Sequence, residues 1–90
     1  MQSVVVTGVS TGIGWVITKV LIQRGFRALG SVRKTQDAER LSKEFGENFV
    51  PLLFDVTDEP AVLAAAQQVR EHLNGETLFG LVNNAGIAGP

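Results

Sequence analysis

The chain has 90 residues, 44% of them hydrophobic and 19% charged, with a formal net charge of −1 and neither cysteine nor tyrosine. That length bounds it to one small domain, and the composition is that of a folding chain rather than a disordered one. Near-neutral charge argues against a nucleic-acid partner, which calls for a concentrated basic face, and the lack of cysteine excludes a disulfide framework or a cysteine-ligated metal.

The start, Met1-Gln2-Ser3-Val4, has no basic region followed by an apolar one, so no signal peptide is expected. No apolar run approaches the roughly 18 residues of a membrane helix. A soluble, cytoplasmic chain without a membrane partner is the expectation.

Ser3–Thr7 (SVVVT) is β-branched and apolar through its middle, the pattern of a strand covered on both faces. From Ile13 the period changes: Ile13, Val16, Ile17, Val20 and Leu21 form one stripe of an amphipathic helix, and Gly25 stands where a C-cap glycine belongs. Trp15 lies off that stripe with Thr18, Lys19 and Ile22, either partly exposed or covering surface of its own.

Arg27–Val32 (RALGSV) predicts a second strand, interrupted in pattern by Gly30. Gln36–Phe45 predicts a helix with Thr35 as candidate N-cap, Ala38, Leu41 and Phe45 inward, and Gly46 at its end. Phe49–Phe54 (FVPLLF) predicts a third strand, at a sheet edge because Pro51 lacks a ladder donor. Glu59–Leu73 predicts a third helix, capped by Thr57 or Asp58, with Val62, Ala65, Ala66, Val69 and Leu73 inward. Pro60 is tolerated in its first turn, where an amide has no helical partner. Leu78–Val82 predicts a fourth strand running into Asn83-Asn84-Ala85-Gly86. The βαβ alternation implies a parallel sheet with right-handed crossovers. The fold class is α/β, half of a doubly wound sheet with strand order 3-2-1-4 and helices on both faces.

Gly8, Gly12 and Gly14 fall where the first strand gives way to the first helix. Such a junction presents unpaired amides and the positive end of a helix dipole, a natural anion site. Gly8 suits the tight turn, Gly12 a close approach of ligand to backbone, and Gly14 close packing of helix on sheet. Ser10 and Thr11 add hydroxyl donors. The spacing is neither G-x-G-x-x-G nor a P-loop.

"TGVSTGIG" (Thr7–Gly14), "FDVTD" (Phe54–Asp58) and "LVNNAG" (Leu81–Gly86), each at a predicted strand end, resemble three motifs of the short-chain dehydrogenase/reductase family. The resemblance covers the whole chain and implies a Rossmann-type fold. It casts the backbone from Gly8 through Ile13, with Gly14 behind it, as a pyrophosphate cradle. Asp55 would accept from the adenine amino group beside the Val56 backbone, and Asn83 would lie near the adenosine and ribose. At the end of the second strand, NAD enzymes place an acid that accepts from the ribose 2′-hydroxyl. Here Ser31-Val32-Arg33-Lys34 carries no acid before Asp37. Arg33 can pair bidentately with a 2′-phosphate and Lys34 as a point charge, which favours NADP, with NAD the alternative.

Plainer roles compete. Asp55 could be a turn residue, Thr57 and Asp58 helix caps, Asn83 and Asn84 turn formers, and Arg33 and Lys34 a solvated basic pair. The single histidine, His72, sits late on a helix and reads as structural.

The family transfers a hydride between a nicotinamide cofactor and a carbonyl or alcohol substrate. The resemblance places its Tyr-x-x-x-Lys pair beyond the NNAG motif, and this chain has no tyrosine. Residues 1–90 therefore read as a dinucleotide-binding region truncated before the catalytic half, with no catalytic residue or metal ligand of its own. The parent would be an oxidoreductase and a homo-oligomer. The alternative is a stand-alone, non-catalytic nucleotide-binding or interaction module.

Overall fold

A computed structural model describes residues 2–10, 12–55 and 57–82. In chain order these form β1 (Ser3–Val6), α1 (Gly12–Gln23), β2 (Arg27–Val32), α2 (Thr35–Phe45), a 3-10 turn (Gly46–Asn48), β3 (Phe49–Leu53), α3 (Glu59–Leu73) and β4 (Gly80–Val82). The strands make one four-stranded sheet in the order β3-β2-β1-β4, parallel at every pairing. The strand order and the parallel pairing agree with the sequence expectation. Pro51 stands on edge strand β3 opposite Gly30, where its missing amide breaks no interior ladder.

Alternation along the strands divides the core. Val4, Val6, Ala28, Val32 and Phe49 face α1 and α2, packed with Val9 and Leu41, while Val5, Leu29 and Leu52 face the other side with Val69 of α3. The first layer is the deeper one: Val6, Val9, Ala28 and Leu41 are fully buried.

Four local expectations are corrected. On α1, Ile13, Val16 and Val20 of the anticipated inward stripe are 70%, 52% and 43% exposed. The helix instead seats through Gly14 and Thr18, with Trp15, Ile17, Leu21 and Ile22 packed around the core. Small residues one turn apart let the helix backbone approach the sheet closely, and Thr18 satisfies its buried hydroxyl by donating to the Gly14 carbonyl at 2.8 Å. Trp15 is half-buried against Phe45, ring centroids 5.8 Å apart, and its Nε1 donates to Glu44 Oε1.

On α3, Ala65 is buried and Val69 packs on the second core cluster, but Val62 and Ala66 are exposed. The apolar patch beneath this helix rests on three buried residues, too narrow to receive the whole stripe. On α2, Thr35 is the first helical residue rather than the cap. Lys34 holds the N-cap position in extended conformation without a side-chain cap bond, and its carbonyl accepts from the amides of Asp37 and Ala38. At α3 the cap is Asp58, which accepts from the Ala61 amide at 3.3 Å. β4 starts at Gly80 rather than Leu78, although the Phe79 amide already donates to the Ser3 carbonyl.

Candidate functional site

All four strands are parallel, so their C-terminal ends lie along one sheet edge, and those residues singled out from the sequence that the structure describes follow these ends. β1 leads into the turn through Thr7, whose amide donates to the Val82 carbonyl at 3.0 Å, tying the turn to β4. Gly8 and Gly12 hold φ of +67° and +65°, the left-handed region in which a side chain is penalised. A β-carbon built on Gly12 would meet nothing within 4 Å, so this glycine leaves an open approach to the backbone. Ile13 is exposed and Gly14 buried at the start of α1.

Arg33 and Lys34 follow β2 directly and are both exposed. Among the described residues neither has a salt bridge. Asp55 lies just past β3. Its Oδ1 accepts from the Thr57 amide at 2.9 Å and the Thr57 hydroxyl at 2.8 Å. These two bonds, with the Arg33 guanidinium acting more weakly, hold its carboxyl below the 3.8 of an ordinary aspartate. Arg33 and Asp55, twenty-two positions apart in sequence, thus feel each other across adjacent strand ends. Thr57 engages only Oδ1, so the turn role of Asp55 leaves Oδ2 outside these two bonds.

Residues that motif reading passed over also hold the turn. The Gly8 amide donates to Ser31 Oγ at 2.8 Å, and the Val9 amide to the Ser31 carbonyl at 3.0 Å. Ser31 is buried, at 2% exposure. On α2, Arg40 Nη2 donates to the Ser10 carbonyl at 2.8 Å and pairs with Asp37 Oδ1 at 3.4 Å. Gly30 leaves room for the Val9 side chain; in the sequence it read only as a flaw in the strand. A small polar residue two places before the basic pair was the available signal for Ser31. Nothing in the pattern distinguished Arg40 from a solvated helix residue. Thr11, Val56, Asn83 and the Asn84-Ala85-Gly86 turn lie outside the described residues.

Residues 2–90 match the family model described as short chain dehydrogenase. The chain belongs to the short-chain dehydrogenase family. It is 42% identical over 88 residues to an NADPH-dependent 3-dehydrocapnine reductase of Ornithobacterium rhinotracheale, covering 98% of this chain and 31% of that one. It is 40% identical over 85 residues to a probable NADP-dependent dehydrogenase of Dichelobacter nodosus, covering 94% of this chain and 78% of the relative. The fold also matches the crystal structure of a 3-ketoacyl-(acyl-carrier-protein) reductase from Brucella melitensis complexed with NADH. There the TM-score is 0.80 and the identity 22%, over 89% of this chain and 32% of that one. The chain therefore spans about a third of the length of the first of these relatives and of the reductase. Among the described residues no helix is long and apolar enough to cross a membrane.

Proposed function

We propose that this chain is the dinucleotide-binding region of a short-chain oxidoreductase and takes NADPH in preference to NADH. The observation that carries the reading is the convergence of a left-handed glycine turn, an exposed Arg33-Lys34 pair and the Asp55 carboxylate on one sheet edge. The turn offers a side-chain-free approach suited to a pyrophosphate. Arg33 offers two parallel donors to a 2′-phosphate and Lys34 a mobile charge, whereas a carboxylate at this position would repel it. Asp55 keeps an oxygen for an exocyclic amine, and ionised Asp55 remains an acceptor across neutral pH because its carboxyl titrates low. Thr11, Val56 and Asn83 belong to the same proposed site.

The bound nicotinamide would supply the hydride exchanged with a carbonyl or alcohol substrate. This chain's part is to bind and orient the dinucleotide. With no tyrosine among its 90 residues, the general acid–base group of a Tyr-x-x-x-Lys mechanism is assigned to sequence outside it, in keeping with its coverage of 31% of the reductase relative. Cytoplasmic residence and a homo-oligomeric parent belong to the same reading. The names of the two sequence relatives, one NADPH-dependent and one NADP-dependent, support the cofactor preference.

Titration with NADPH and NADH at fixed ionic strength tests the reading. NADPH is expected to bind tighter, and Arg33→Asp to abolish that preference, weakening NADPH by roughly ten- to a hundredfold as a charged hydrogen-bond pair becomes a repulsion. A folded protein that binds neither dinucleotide, or an Arg33→Asp variant with unchanged preference, would overturn it.

A further inference from the structure

Three consecutive residues of the glycine turn are fastened to the β2–α2 segment, one after another. Gly8 donates to the Ser31 hydroxyl at 2.8 Å, Val9 to the Ser31 carbonyl at 3.0 Å, and Ser10 accepts from Arg40 at 2.8 Å. Ser31 is buried, so its hydroxyl offers the Gly8 amide an acceptor that water does not readily replace. The same Arg40 Nη2 also pairs with Asp37 Oδ1 at 3.4 Å. Its 2.8 Å bond engages the Ser10 carbonyl oxygen with a side chain of α2. Between these two anchors run Arg33 and Lys34.

We propose that Ser31 and Arg40 are positioning residues that set the glycine turn for the dinucleotide pyrophosphate, so that one β2–α2 segment both shapes the pyrophosphate turn and carries the groups that choose the cofactor. The proposal rests on the dinucleotide reading above and goes beyond it, because neither residue need touch the ligand. Ser31 acts through the Gly8 and Val9 amides, and Arg40 through the Ser10 carbonyl. Arg33 and Lys34 discriminate between cofactors; Ser31 and Arg40 do not.

The test compares Ser31→Ala, Arg40→Gln and Arg33→Ala in the full protein, with two readouts. The first needs no ligand: amide hydrogen exchange of Gly8 by NMR, with Val5 and Leu29 as controls for the sheet. Ser31→Ala is expected to speed Gly8 exchange about tenfold while the controls stay within about threefold, since it removes one acceptor of ordinary strength. The second is affinity. Ser31→Ala and Arg40→Gln are expected to weaken NADPH and NADH by the same factor, about three- to tenfold, leaving their ratio unchanged, whereas Arg33→Ala shifts the ratio.

Unaltered Gly8 exchange in Ser31→Ala overturns the role of Ser31. A loss confined to NADPH in Arg40→Gln overturns that of Arg40, identifying a direct phosphate contact instead. Unchanged affinities in both variants overturn the proposal while leaving the dinucleotide reading intact. Failure of the unaltered protein to bind either dinucleotide overturns that reading, and the positioning role with it.

Discussion

Gly30 and Val9 share one space: a β-carbon on Gly30 would stand 2.7 Å from Val9 Cγ2 and 2.8 Å from Phe49 Cε1. Both neighbours are buried, Val9 completely, and neither contact is the free end of a long flexible side chain. The middle of β2 is thinned so that the first residue after the Gly8 bend can enter the core. Gly30→Ala is therefore expected to destabilise the fold by about 1–3 kcal/mol, the usual cost of overpacking. The urea midpoint measures this, and an unchanged midpoint would mean that the turn can lift away from β2 at no cost. Because Val9 belongs to the turn, weaker dinucleotide affinity should accompany the loss.

Gly12 separates stability from binding. Its φ of +65° costs an alanine about 1–2 kcal/mol, but the space beside it is open, so Gly12→Ala meets no clash in the free protein. Denaturation should record only that backbone cost. Dinucleotide affinity should fall by more than tenfold, since the new methyl group stands where the proposed ligand approaches. Equal affinity in the variant would place the pyrophosphate elsewhere.

Asp55 should titrate low and take its stabilising effect with it at acid pH. Thr57, first through its amide and then through its hydroxyl, binds the ionised carboxylate, and Arg33 adds a weaker attraction. The folded pKa is therefore lower than the unfolded one. The contribution is fully present above the ordinary aspartate value of 3.8 and fades as pH falls through the lower folded value. Carbon-detected NMR of the Asp55 carboxyl should give a midpoint below 3.8, and Thr57→Val should raise it by removing the hydroxyl bond while keeping the amide. A midpoint unmoved by Thr57→Val would assign the depression to the amide and Arg33 alone.

Asp58 caps α3 through the Ala61 amide, at the long distance of 3.3 Å. Asp58→Ala should cost about 0.5–1 kcal/mol, the lower part of the range for N-cap loss. Thermal unfolding would register it as a lowered midpoint, with dinucleotide affinity unaffected. A loss of affinity would mean that the start of α3 belongs to the site.

The sequence by itself determined the alternation of strands and helices and the family, because these rest on local signals, and the resemblance to that family carried the 3-2-1-4 order of the parallel sheet. β-branched runs, glycine bends and three motifs at strand ends carry them without reference to distant residues. It also located Gly8 and Gly12, the two positive-φ glycines between β1 and the first turn of α1, and the basic pair after β2. Tertiary structure decided which face of α1 turns inward. Periodicity marked Ile13, Val16 and Val20, but the close approach permitted at Gly14 and Thr18 outweighed the area those larger side chains could bury. It likewise decided what holds the turn. Ser31 and Arg40 lie more than twenty positions from it, and only sheet pairing and the packing of α2 bring a buried hydroxyl and a guanidinium onto its backbone. Motifs mark where a chain bends; the partners that fix the bend come from whichever strand and helix fold beside it.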